Sequence, residues 1–165
     1  MPPALDALEY RRVVGRFATG VTVVTAVLDG EHHAMTCSSF TSVSLDPVLV
    51  LVCPEKIARF HDVVLEAGAW AVSVLAQDQA PASRHFARRG RPIADQFAGI
   101  AHTHGQLTGA AMLDGALAWL ECRTVSTTDA GDHTVVIGEV LGLGVPDPQA
   151  EPLLYFEGRY RAFRD

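Results

Sequence analysis

The chain has 165 residues, 48% hydrophobic and 19% charged, with a formal net charge of -6 at pH 7. That length suits one domain with a true core, since domains commonly run to about 100–150 residues. The acidic balance argues against a nucleic-acid binder, which needs a basic surface to release counterions, and no apolar run approaches the roughly 20 residues of a membrane span.

The opening segment, MPPALDALEYRR, has neither a basic start nor an apolar stretch of the kind a signal peptide needs, so a cytoplasmic setting is expected. Tyr10, Val13, Val14 and Phe17 recur at helical spacing and predict a packing helix from about Asp6 to Phe17. From Val21 the run VTVVTAV is β-branched and alternating. Asp29-Gly30 is a two-residue hairpin signal that leads into a partner strand carrying MTCSSFTSVSLDP, Met35 to Pro47. Thr36, Ser38, Ser39, Thr41, Ser42 and Ser44 crowd hydroxyls into this stretch, while Phe40, Val43 and Leu45 give it an apolar side. It is either the wet face of an edge strand or a surface for a polar, phosphate-bearing ligand.

PVLVLVC, from Pro47, is an unbroken apolar run of strand length and predicts a strand buried on both faces. The period then shifts. Ile57, Phe60, Val63, Val64 and Ala67 form one face of a helix over Lys56 to Ala67, with Gly68 as its C-cap. WAVSVL reads as a strand, Gln79 to Ala87 as a short helix ending in a basic, flexible loop, RRGRP, and Ile93 to Phe97 as a helical turn. Gly99 to Gly115 reads as loop. Two long strands follow, ALAWLECRTVSTT and HTVVIGEVLGLGV, joined by a turn at Ala130 to Asp132, and LLYFEGRYRAF supplies a last strand and tail. Six or seven strands, two or three helices and no strand–helix alternation predict a mainly β fold, a small antiparallel β-barrel with peripheral α-helices.

There is no G-x-G-x-x-G after a strand, no G-x-x-x-x-G-K-[ST], no H-E-x-x-H, no G-x-S-x-G and no C-x-x-C. Cys37, Cys53 and Cys122 are odd in number and far apart, which predicts free thiols. His32-His33 and His102-x-His104 lack carboxylate or thiol partners at suggestive spacing, so no metal site is expected. Lys56, the one lysine of the chain, and Arg59 fall in the first turn of the predicted second helix. There they either capture an anion or stand as solvated charges. His133, beside Asp132 at a turn, is either a ligand contact or simply exposed.

The ordered set GRFATGVTVVTA, MTCSSFTSVSLDPVLVLVC, SRHFA, DQFAG, GDHTVVIGEV and PLLYFEGRYR resembles the flavin reductase-like, FMN-binding split-barrel family over Tyr10 to Phe163. The resemblance implies a homodimeric split barrel that holds FMN or FAD and serves a two-component flavin-dependent monooxygenase. NADH or NADPH would reduce the flavin, which then passes to a separate oxygenase. It places Met35, Thr36, Cys37, Ser38 and Ser39 along the isoalloxazine and ribityl chain, with both serines donating to the ring. Cys53, Lys56 and Arg59 fall around the flavin phosphate, and His85 and Phe86 in a segment that closes over the cofactor. His133, the residue expected to serve catalysis, and Gly158, Arg159 and Tyr160 match positions near the nicotinamide nucleotide. No arginine cluster for a 2′-phosphate is evident, which favours NADH.

The chain departs from the family pattern at Pro47-Val48, commonly Pro-Pro, at Ser73-Val74-Leu75, commonly Asn-Val-Leu, and at Cys37, commonly Val or Ala. Two other readings stay open: a flavoprotein that keeps its flavin and acts on a small organic substrate, and a non-catalytic flavin- or haem-binding module.

Overall fold

Residues 5–163 are described by a computed structural model; the first four residues of the segment read as lacking a signal lie outside them. Asp6 caps helix α1 (Ala7–Val14), its carboxylate accepting the Leu8 N–H at 3.1 Å. The helix stops at Gly15, short of Phe17, and buries none of its residues. Tyr10, Val13, Val14 and Phe17 remain exposed, so the packing predicted for this helix finds no partner among the described residues.

After the two-residue β1 (Thr19–Gly20) come β2 (Thr22–Leu28) and β3 (Glu31–Cys37), joined as predicted at Asp29-Gly30. Both turn residues take positive φ, 52° and 79°, the requirement of a tight hairpin turn matched to strand twist. The hydroxyl-rich stretch then breaks in two: β3 ends at Cys37, and β4 (Thr41–Leu45) begins after Ser38–Phe40. Next are β5 (Val48–Val52), α2 (Arg59–Ala67), β6 (Ala69–Val74) and α3 (Ala80–Ala87). The region read as loop holds a small hairpin, β7 (His102–His104) with β8 (Ala111–Leu113), too short to show an alternating pattern. The long β9 (Ala118–Ala130) and β10 (His133–Gly144) are as expected. The last strand proves to be a hairpin of its own, β11 (Leu153–Phe156) and β12 (Arg159–Ala162), turning at Glu157 and Gly158 with φ of 51° and 74°.

Seven strands form the main sheet in the order β3-β2-β6-β9-β10-β5-β4, each neighbouring pair antiparallel. Its two outermost strands, β3 and β4, are also consecutive in the chain. Laid flat, six gaps would separate them by about 29 Å, yet four residue steps from Cys37 to Thr41 reach at most about 14 Å. The sheet therefore has to curl until its margins approach without pairing, which makes a split barrel with α-helices outside it.

Double-sided burial, predicted for Pro47–Cys53, belongs instead to β2 and β6. Val24 and Ala26 of β2, with Trp70 and Val72 of β6, pack with Phe60, Val63 and Val64 of α2. From β2's start and its opposite face, Val21 and Val23 join Phe86, Leu113 and Leu153. Each aliphatic side chain so buried contributes about 1.5–3 kcal/mol. On β5 only Val50 and Val52 are buried, Leu49 and Leu51 are partly covered, and Val48 is exposed. An apolar run records that a strand wants cover on both faces, not that its own chain provides it.

Among the described residues β3 has a free margin, and side chains take two of its carbonyls. The Gln96 amide donates to His32 O at 2.6 Å, and the Arg91 guanidinium donates to Ala34 O. These alternate carbonyls point away from β2 and would otherwise lack a protein partner.

Candidate active site

Two hollows flank the end of β3, one lined by Met35 and Thr36 and the other by Ser38 and Ser39. The first, a basic cavity of about 420 Å³, lies between β3, the start of α2 and the segment after α3. Met35 and Thr36 line it from the strand, Arg59 from the helix, and Arg88, Arg89 and Arg91 from the segment. Against these four guanidinium groups the lining holds one carboxylate among the described residues, Glu55, which binds Arg89 at 2.5 Å. Burial lowers the pKa of the neighbouring His33, Glu31 pulls the other way, and Arg59 and Arg91 lower it further. A neutral imidazole leaves the cavity's positive charge to the arginines, which suits a phosphate.

The second hollow is a groove of about 790 Å³ between α1, the Gly15–Gly20 segment, Ser38–Thr41 and the β11–β12 hairpin. Tyr10, Val14, Phe17, Phe40 and Tyr155 make its walls largely apolar, while Ser38 and Ser39 give it a polar rim. Thr19, also on the lining, carries a buried hydroxyl with no hydrogen-bond partner. A flat aromatic system with a heteroatom-rich edge fits such a groove.

The other residues singled out in the sequence fall around these hollows. Cys37 turns its thiol inward, 2.9 Å from Ser39 Oγ, and Ser39 Oγ accepts the Cys53 N–H, also at 2.9 Å. Ser39 is thus already engaged within the protein, and Ser38 is the more open of the two serines. Burial pushes the Cys53 thiol up, Cys37 adds to this, and the Ser39 hydrogen bond opposes it.

Lys56 is not in the first turn of α2, which begins at Arg59. It sits in the preceding turn, off the cavity lining, with its ammonium 3.1 Å from Asp129. Phe86 forms a buried back wall, and His85 stands edge-on to it while its Nε2 meets Gln96 O at 2.7 Å. His133 lies at the tip of the β9–β10 hairpin, Nδ1 2.7 Å from Asp132 Oδ1, and its ring holds the Asp132 carboxyl below the usual range. It lines neither hollow, but its backbone pairs with Glu55 at the cavity wall.

Gly158 lines the groove and Arg159 is exposed beside it. Tyr160 shares a 2.7 Å hydrogen bond with Ser83 of α3, under the Arg84 guanidinium at 4.9 Å. The arginines after α3 were legible only as a basic, flexible loop. Nothing in RRGRP marks Arg91 as the one that turns inward, and it is buried to 9% exposure.

The sequence profile of the flavin reductase like domain matches residues 14–164. The chain belongs to the flavin reductase-like family. HsaB of Mycobacterium tuberculosis, the reductase subunit of a flavin-dependent monooxygenase, is 39% identical to this family member over 161 residues, 97% of this chain and 84% of HsaB. Among solved structures, the flavin reductase component of a bacterial two-component tryptophan halogenase, BorF, superposes with a TM-score of 0.91 at 45% identity, covering 97% of this chain and 99% of BorF. The Streptomyces globisporus NADH:FAD oxidoreductase SgcE6, in complex with NAD and FAD fragments, gives a TM-score of 0.91 at 43% identity, covering 96% of this chain and 93% of that one. The family and the split-barrel fold expected from the motifs are therefore those of this flavin reductase-like chain.

Proposed function

We propose that this chain is an NADH-dependent flavin reductase that acts on FAD or FMN and serves a separate oxygenase component. One observation carries the reading: Met35 and Thr36 wall the basic cavity while Ser38 and Ser39, two residues on, rim the apolar groove. A ligand with an anionic end and a flat, polar-edged ring would lie along that strand end. The relatives support the chemistry, being an NADH:FAD oxidoreductase and reductase components of a monooxygenase and a halogenase.

On this reading Arg59, Arg88 and Arg89 hold the phosphate end, Met35 and Thr36 run beside the ribityl chain, and Ser38 orients the ring's polar rim. Ser39 acts indirectly, by fixing the Cys53 backbone, and His85 and Phe86 back the cavity. When bound, the flavin supplies the hydride acceptor and the nicotinamide the donor. The protein's part is alignment of the two rings and exclusion of water, so no nucleophile or catalytic triad is needed. His133, steadied by Asp132, orients the nicotinamide, and Gly158, Arg159 and Tyr160 contribute to holding the same nucleotide.

The working unit on this proposal is a homodimer of single-domain chains. A second copy would cover the apolar face of α1, where Tyr10, Val13 and Phe17 are 59%, 59% and 75% exposed. Sedimentation should give a dimer for the wild type and a monomer for Phe17→Glu; a monomeric wild type rejects this part. No described helix is long and apolar enough to cross a membrane, and the three cysteines are unpaired, which supports the cytoplasmic setting.

The deciding experiment is an anaerobic titration of purified protein with each flavin and then NADH, read by flavin absorbance. Bleaching of added FAD or FMN with turnover is expected. Absence of NADH oxidation with any flavin would leave a binding module, and a stoichiometric flavin that stays bound after reduction would leave a self-contained flavoprotein.

A further inference from the structure

Arg91 is buried, yet no carboxylate among the described residues lies within ion-pair distance of it. Its donors meet neutral acceptors. Nη1 reaches Phe86 O at 2.9 Å and Arg88 O at 3.1 Å, Nη2 binds Ala34 O, and Nε faces Gln96 Oε1 at 3.3 Å. Each nitrogen of the guanidinium therefore has a partner, but its charge is offset only by the carbonyl end of the two-turn α3. Other cations worsen its position: burial lowers its pKa to about 10, and Arg59 and Arg88 add to the effect.

These bonds also tie three pieces together. Arg91 fastens the end of α3 and the Arg88–Gly90 turn to the margin of β3, and Arg59 donates to Arg91 O at 3.0 Å from the start of α2. The turn that carries Arg88 and Arg89 is thus held to β3 by the Arg91 side chain, while Arg59 meets the same segment at the Arg91 main-chain carbonyl. A neutral amide could cap the same carbonyls singly. A fork that spans them while adding an unmatched positive charge suits a wall built to face an anion.

We infer that Arg91 is a positioning residue for the phosphate end of the flavin: it locks the Arg88–Arg89 turn onto β3 and sets affinity for phosphate-bearing flavins, while leaving the ring's own binding alone. The inference rests on the proposed placement of the flavin phosphate in the basic cavity, and its test separates the two.

Riboflavin, FMN and FAD would each be titrated against wild type, Arg91→Gln and Arg91→Lys by flavin fluorescence quenching, with thermal melts to show folding. The wild type should bind FMN and FAD about tenfold or more tighter than riboflavin, the scale of one charge-assisted contact. Arg91→Gln should lose about that factor for FMN and FAD with riboflavin affinity within about twofold. Arg91→Lys, which keeps the charge but not the fork, should fall between. Should Arg91→Gln fail to fold, Arg91→Lys carries the test, together with the melting temperature gained on adding inorganic phosphate, expected to be smaller in the variant than in the wild type. Equal weakening of all three flavins in a folded variant, or no weakening of any, overturns the role given to Arg91. A wild type that binds riboflavin as tightly as FMN removes the phosphate assignment itself, and the inference with it.

Discussion

The Ser39 hydroxyl accepts the backbone N–H of Cys53 at 2.9 Å. That bond ties the gap between β3 and β4 to the end of β5, where the barrel's margins come together. Ser39→Ala would leave the Cys53 N–H partly buried and unmet, at a cost of about 1–2 kcal/mol, or about 2–8 °C in Tm for a domain of this size. Thermal unfolding without flavin measures it, and an unchanged Tm would show the bond to be expendable.

Gly138 lies against Trp70, where a Cβ would stand 2.4 Å from the indole Cζ2 and 3.1 Å from Cys122 Cβ. Neither neighbour can give way easily: Trp70 is fully buried, and its N–H is held by Thr124 at 3.0 Å. Gly138→Ala should therefore destabilise by about 1–3 kcal/mol through overpacking. A urea midpoint that falls with an unchanged slope is the expected signature, and a midpoint equal to wild type counts against close packing here.

His32 stacks on His104, centroids 4.5 Å apart and planes 11° from parallel, with a buried Nδ1 that has no partner. Burial, then His104, His102 and His33, hold its pKa below the ordinary 6.5. A folded-state value below the unfolded one means the unfolded chain binds more protons, so stability rises with pH. The contribution is whole above 6.5 and is lost as pH falls from there toward the folded value. Tm should drop on acidification across that window, and His32→Phe, which keeps a ring against His104, should flatten the drop. Superimposable Tm–pH curves for the two proteins would assign the effect to other groups.

His133→Ala should lower turnover with NADH about tenfold or more while flavin affinity stays nearly intact, since the side chain lines neither hollow. Asp132→Asn, which keeps a hydrogen-bond partner but not the charge, should fall between. Steady-state kinetics beside a flavin titration separate the two effects. Equal losses in both would place His133 with the flavin instead.

What the sequence made legible was local. Asp29-Gly30 announced its turn because positive φ is tolerated by few residues, and Phe60, Val63 and Val64 announced α2 because their spacing suits only a helix. The hydroxyl stretch was legible as either the wet face of an edge strand or a ligand surface, though not the use of Ser39 inside the protein. Arg91 was misread for a physical reason. A basic residue in a polar loop looks solvated whether it points outward or, like Arg91, inward, and no periodicity separates the cases. Ile57, placed on the buried face of α2, instead precedes the helix and is 72% exposed at the cavity's rim.

A strand with open acceptors along one side invites foreign strands to add to it, the first step of sheet-mediated aggregation. In this protein the carbonyls of His32 and Ala34 are already taken by Gln96 and Arg91. A stray peptide or a neighbouring molecule finds those two acceptors occupied, so the groups that shape the basic cavity also blunt this edge against strand addition.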